Sequence, residues 1–224
     1  MGRAVHTAAD GSSVTFEGPV DLAAVATSSV RYQDHGIVRE LTTAPLHALD
    51  ALPFTVDEEY RHRSGEVHIG HRSETDPSIS SHRQDTFAVW RGAHHGLLLI
   101  ETGAPADALL AVLDELGLEE RPTGLAVEAP RLLPPTTKLV KELPGVGLAE
   151  VAPLVPAVAQ ALPRWAGTEV RGGELYRDQA RPGAPVLLLV NDTTSTTLLL
   201  DGDGRTADTA TALTTELRVT WAAA

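Results

Sequence analysis

Nine histidines, all within the first 95 residues of this 224-residue chain, are the side chains best suited to chemistry. Imidazole ligates metals and titrates near neutral pH. Six of them, His62, His68, His71, His82, His94 and His95, lie close together in sequence. A zinc site needs three or four ligands converging on one point. His68 and His71 stand three apart on a predicted strand, which sends them to opposite faces, and His94 and His95 occupy a predicted hairpin turn. No metal site is expected. His62-Arg63, His71-Arg72 and His82-Arg83 add cationic character beside Asp57, Glu58, Glu59, Glu66 and Glu74. Cross-strand ion pairing is the expected use, with an anion-binding face as the alternative.

The second candidate is Asp201-Gly-Asp-Gly204. A calcium loop would need a bidentate acid at its twelfth position, which here is Ala212. A phosphatase-type Asp-x-Asp nucleophile would need a downstream lysine, and none follows Gly204. The segment is expected to be a strand-to-helix turn capped by Asp203 or Thr206. No Gly-x-Ser-x-Gly, P-loop, Gly-x-Gly-x-x-Gly or His-Glu-x-x-His pattern occurs. With no cysteine there is no disulfide, thiolate ligand or thiol nucleophile. The chain is expected to have no catalytic residue and no cofactor; a hydrolase using the histidine-rich N-terminal lobe is the alternative.

Composition narrows the partners. A net charge of −12 and only two lysines, Lys138 and Lys141, argue against nucleic acid, whose phosphates require clustered cations. No run approaches the ~18 apolar residues that cross a bilayer, and Met1-Gly-Arg-Ala-Val-His6 lacks the apolar stretch of a signal peptide. Membrane insertion is not expected, and a cytoplasmic location is. Apolar residues are 42% of the chain but aromatics only 4%, so Leu, Val and Ala must build the core.

The elements that must position these residues follow a pattern written twice. The first copy is a hairpin, Thr86–Arg91 and Leu97–Glu101, then a helix over Pro105–Leu116 and a strand over Thr123–Glu128. The second is Pro185–Val190, Thr196–Leu200, a helix over Thr206–Leu217 and the strand Leu217–Trp221. Pro105 at the first helical position, Asp107 in the first turn and Gly117 beyond the end mark the first helix, and Leu109, Val112, Leu113 and Leu116 form its apolar face. Val38 to Leu52 carries helix-like apolar spacing broken by Pro45. A short helix is expected at Asp21–Ala26, and an edge strand at Ser13–Phe16. Between the copies, Thr136–Leu143 and Leu148–Leu162 are expected to form a short helical hairpin around Pro144-Gly145.

The predicted fold is therefore α+β: two pseudo-symmetric lobes, each a mostly antiparallel sheet covered by a helix. The N-terminal lobe spans 1–130, the helical hairpin 131–165 and the C-terminal lobe 166–224. The hairpin holds more large apolar residues than one sheet can bury. Leu139, Val140, Leu143 and Leu148 are thus expected to bind a partner, together with Trp90 and the isolated Ile79 of the polar loop Ser73–Ser81.

Over about residues 36–135 the chain resembles the EspG family of type VII (ESX) secretion-associated chaperones of actinobacteria. The resemblance is carried by Gly36-Ile-Val38, Pro53–Arg61, Gly65–Ile69, Arg83–Trp90, Gly96–Glu101, the helix at Pro105–Leu116 and the strand before Pro130. It is one of hydrophobic spacing, followed more loosely by the remainder. It implies a non-enzymatic cytosolic chaperone or adaptor that holds a helical PE–PPE-like secretion substrate. An interaction or structural module of unrelated bacterial biology is the alternative.

Overall fold

The computed structural model of the protein describes residues 1–34, 36–63, 65–76, 81–181, 184–200 and 204–224, with side chains described outside 72–84, 179–185 and 201–209. The chain opens with strands β1 (Gly2–Thr7), β2 (Ser13–Gly18), β3 (Ala26–Asp34) and β4 (Ile37–Pro45), and a one-turn helix α1 (Leu46–Asp50). A meander follows: β5 (Thr55–His62), β6 (Gly65–Asp76), β7 (Ser81–Arg91) and β8 (His95–Thr102). Helix α2 (Ala106–Glu115) then leads to β9 (Gly117–Arg121) and β10 (Gly124–Glu128). Next come β11 (Leu132–Leu143), β12 (Gly147–Pro153) and α3 (Pro156–Gln160). The chain closes with β13 (Thr168–Val170), β14 (Gly173–Arg181), β15 (Ala184–Val190), β16 (Thr194–Leu200), α4 (Gly204–Thr215) and β17 (Arg218–Ala222).

Among the described residues strand far outweighs helix, so the fold is mostly β and not the expected α+β arrangement of helix-covered sheets. The expected helical hairpin is instead the β-hairpin β11–β12, with Leu139 opposite Val151 and Leu143 opposite Gly147. Thr137, Leu139, Lys141 and Leu143 point inward while Lys138 and Glu142 point out, a strict period of two. Lys141 on the inward side disguised that period. Gly145 turns the hairpin at φ +78°, a conformation that glycine adopts without a Cβ penalty.

Val38–Leu52 is likewise a strand before it is a helix. The β-branched pair Thr42-Thr43 suits β4, and helix begins only after Pro45. No helix forms over Asp21–Ala26, where the Asp21 carboxylate accepts the Ala23 N–H at 2.9 Å. The expected edge strand β2 lies between β1 and β17.

Two compact units form. A terminal unit takes Met1–Ala8, Ser12–Thr27 and Pro135–Ala224; a central unit takes Ala9–Gly11 and Ser28–Pro134. Strands of the central unit run in the order β3-β4-β8-β7-β6-β5, and those of the terminal unit β11-β12-β16-β15-β14-β13. The order is the same in both. Each begins with a hairpin, passes through a one-turn helix (α1 or α3) and returns through a four-strand meander whose last strand pairs with the second strand of that hairpin. All the pairings are antiparallel.

In the central unit one face of the sheet packs Tyr32, Leu41, Ile69, Trp90, Leu97 and Leu99 against Leu109, Val112 and Leu113 of α2. In the terminal unit Leu139, Leu143, Val151, Leu189 and Leu198 pack with Phe16, Val219 and Trp221 of the β1-β2-β17 sheet. Burying a Leu or Phe stabilises by about 1.5–3 kcal/mol, so these clusters fix which face of every strand looks inward.

Candidate functional site: the second sheet faces

Ile100, Leu148 and Leu199 are exposed apolar side chains on the sheet faces turned away from the main cores. On β7 and β8, Trp90 and Leu97 lie opposite each other on the core face, which sends Val89, Phe87, Leu98 and Ile100 to the other. There Ala44, Leu49, Phe87, Val89 and Leu98 form a smaller buried cluster, roofed by α1 through Leu49. The Phe54 ring tilts over Phe87 with centroids 3.9 Å apart. Gly70 of β6 makes this possible, because a Cβ there would meet Phe87 Cζ at 2.5 Å and the Thr55 carbonyl at 2.0 Å.

The roof stops short. Leu52, Pro53, Phe54, Phe87, Leu98 and Ile100 line an apolar cleft of about 80 Å3 beside α1, with Ile100 47% and Leu52 38% exposed. Asp85 at the cleft wall is occupied by the Thr102 hydroxyl, which donates to it at 2.7 Å.

The terminal unit's sheet exposes an apolar pair on its second face. Leu148 of β12 and Leu199 of β16 are register partners, 39% and 42% exposed. Glu142 stands opposite Leu148 and Glu150 opposite Val140, and Lys138 donates to Glu150 at 2.7 Å. One apolar pair flanked by carboxylates thus marks this face.

The residues expected to bind a partner divide between core and surface. Trp90, Leu139 and Leu143 are buried; Val140 is half-buried and Leu148 is exposed. Ile79 lies outside the described residues. Ile100, Leu199 and Leu52 were missed. The signal for them was present in Leu97-Leu-Leu-Ile100 and Leu198-Leu-Leu200, since an unbroken apolar run puts apolar side chains on both faces of a strand.

Three histidines each face a single carboxylate. His62 Nε2 lies 2.9 Å from Asp114, His71 Nδ1 2.5 Å from Asp57, and His95 Nδ1 3.4 Å from Glu120. His68 sits between Glu59 at 4.0 Å and Glu66 at 3.9 Å. Among the described residues no group of three or more His, Asp or Glu is arranged to hold a metal ion.

Two further charged groups are structural. The Glu120 carboxylate accepts the consecutive N–H groups of Ala93, His94 and His95 at 2.8, 2.6 and 2.7 Å, closing the β7–β8 turn. In the terminal unit buried Lys141 donates to the Ala24 carbonyl.

Compared with family models, curated proteins and solved structures, the chain has no match. No helix among the described residues is long and apolar enough to cross a membrane.

Proposed function

We propose that this protein is a non-enzymatic protein-binding chaperone or adaptor that holds an apolar helical segment of its partner on these second sheet faces. The observation that supports this function is the incomplete roof over the central unit's sheet. α1 is itself a helix seated on that face through Leu49, and beside it the exposed Ile100 and Leu52 and the half-buried Phe54 remain open to a second helix. Such a helix would bury one stripe of its own apolar residues at i, i+3, i+4 spacing, removing apolar surface from water on both sides. On the terminal unit's own face, the Glu142 carboxylate opposite Leu148 would favour a basic residue flanking an apolar stripe seated there. Helical PE–PPE-like secretion substrates of type VII systems are the partner class put forward, in line with the chain's resemblance to EspG chaperones.

Co-expression with tagged PE–PPE-type pairs encoded by the same genome tests it. The wild-type chain is expected to co-elute with at least one pair. Ile100→Asp and the double change Leu148→Asp/Leu199→Asp are expected to abolish capture. Their melting temperatures should stay near wild type, because surface substitutions usually move stability by only about 0.5 kcal/mol. Capture undiminished in both variants, or no capture by wild type, rejects the proposal.

A further inference from the structure

The open edge of the central unit offers a second kind of contact. β5 ends that unit's strand order and, among the described residues, pairs only with β6. Thr55 to Arg61 are all exposed. In β5, Glu58, Tyr60 and Arg61 have no side-chain hydrogen bond or ion pair among the described residues.

His62 and Gly65 are the closing pair of the β5–β6 hairpin. A closing pair of this kind directs its backbone groups across the hairpin, and the direction alternates along the strand. His62, Tyr60 and Glu58 therefore satisfy theirs on β6, whereas Glu59 and Arg61 turn their N–H and C=O groups to the open edge. Such an edge is a template for another strand. Charged residues ordinarily keep arbitrary strands from adding to an edge. On β5, however, both signs occur at a spacing that fits one particular strand, which is β5 itself.

Two antiparallel copies of a strand related by a two-fold axis must pair residues of the same face. One such register centres Tyr60 on Tyr60 of the other copy. It then sets Glu59 opposite Arg61 and Glu58 opposite His62, each twice. Within one chain Arg61 already stands opposite Glu66 and Glu59 opposite His68. The joined sheet would thus carry a row of alternating charge: Glu66, Arg61, Glu59 and His68, the last two from the second copy. The adjacent register centred on Glu59 would instead oppose two carboxylates, a destabilising pair.

We infer that two copies of this chain associate through β5, antiparallel, with Tyr60 on the two-fold axis. The outward backbone groups of Glu59 and Arg61 supply the hydrogen bonds, and the Glu59–Arg61 pairs set the register. A few residues of strand give a small contact, so the dimer is weak and dependent on concentration.

The test uses the full chain, which has no cysteine of its own. Tyr60→Cys is expected to form an intermolecular disulfide under mild oxidation, since centred non-hydrogen-bonded pairs lie about 4.5 Å apart at Cα. Asp107→Cys, on exposed α2, should not. Sedimentation should show a reversible dimer that Arg61→Glu weakens by about tenfold through two Glu–Glu oppositions. The charge exchange Glu59→Arg/Arg61→Glu should recover part of it, since it restores the opposite-charge pairs across the axis while setting like charges opposite Glu66 and His68 within each chain. A chain that stays monomeric at high micromolar concentration overturns the inference. So does a dimer indifferent to Arg61→Glu, or cross-linking through Tyr60→Cys no faster than through Asp107→Cys. Addition of a different protein's strand to β5 while the chain remains monomeric would also overturn it.

Discussion

His6 and Lys141 show how much a single buried charge decides in the terminal unit. The His6 ring meets Phe16 edge-on with centroids 5.8 Å apart, and its Nε2 is buried without a partner. Burial first, and the nearby Lys141 charge second, push its pKa from 6.5 down to about 4. Burial likewise lowers Lys141, against the opposing pull of Asp21. A base whose folded pKa lies below its unfolded value resists protonation only when folded. The cost is absent above the unfolded pKa, grows as pH falls from 6.5 towards 4, and is complete below that. At pH 5 it comes to roughly 2 kcal/mol. Urea unfolding at pH 7 and pH 5 should show that loss in the wild type. His6→Leu should keep ring-edge packing on Phe16 in part and lose most of the pH-dependent difference. An equal pH dependence in the variant would place the titration elsewhere. Lys141 also explains a misreading of the sequence: a lysine aligned with Thr137, Leu139 and Leu143 breaks the apolar–polar alternation by which β11 would have been recognised as a strand.

Among elements, the β7–β8 turn depends on one side chain from β9. Burial by itself would raise the Glu120 carboxyl, but the N–H groups of Ala93, His94 and His95, together with His95's ring, hold it below its usual range. A carboxylate accepting several backbone N–H groups is worth more than a neutral hydrogen bond, and removing it leaves those donors unsatisfied. Glu120→Ala is expected to cost about 2–3 kcal/mol, read as a drop in the denaturant midpoint. Its contribution is present above the unfolded carboxyl value and is lost as pH falls through the lowered folded one, a window more acidic than that of His6. A midpoint within error of wild type would show the turn to be self-sufficient. The turn and its two strands were legible from Thr86–Glu101, as was the α2 region from Pro105, Asp107 and its leucines. The Glu120 contact was not, because it joins residues 25 to 27 apart whose spacing carries no periodic signal. The one-turn helices α1 and α3 lie inside the longer helical segments expected over Val38–Leu52 and Leu148–Leu162, but their bounds were not legible, because five residues are too few to establish a helical period.

For the molecule as a whole, the repeated hairpin–helix–strand segments at 86–128 and 185–221 are visible in the sequence. What they were expected to build is not what forms, because most of the 131–165 region forms the strands β11 and β12, with helix confined to the single turn α3. Nor could local pattern show that the terminal unit is closed by both chain ends. β17 pairs with β2, Val219 standing opposite Phe16 and Trp221 opposite Val14, and all four are buried. Asn191 ties the same strand to the meander, its amide donating to the carbonyls of Gly172 and Val219 at 3.1 and 2.7 Å. The first and last strands of the chain are therefore part of one core with β11, β12 and β16. Val219→Asp places an unpaired carboxylate in that core, at a cost of about 3–5 kcal/mol. Its effect should follow the unit and not the sequence. Hydrogen exchange is expected to show lost protection in Met1–Ala8, Ser12–Thr27 and Pro135–Ala224, including β1, nearly the whole chain away from the substitution. Protection within Ser28–Pro134 should fall less, because its core residues Tyr32, Leu41, Trp90 and Leu113 form a cluster of their own. Uniform loss of protection across residues 1–224 would mean that the two clusters unfold as one cooperative body, and that their separation has no thermodynamic consequence.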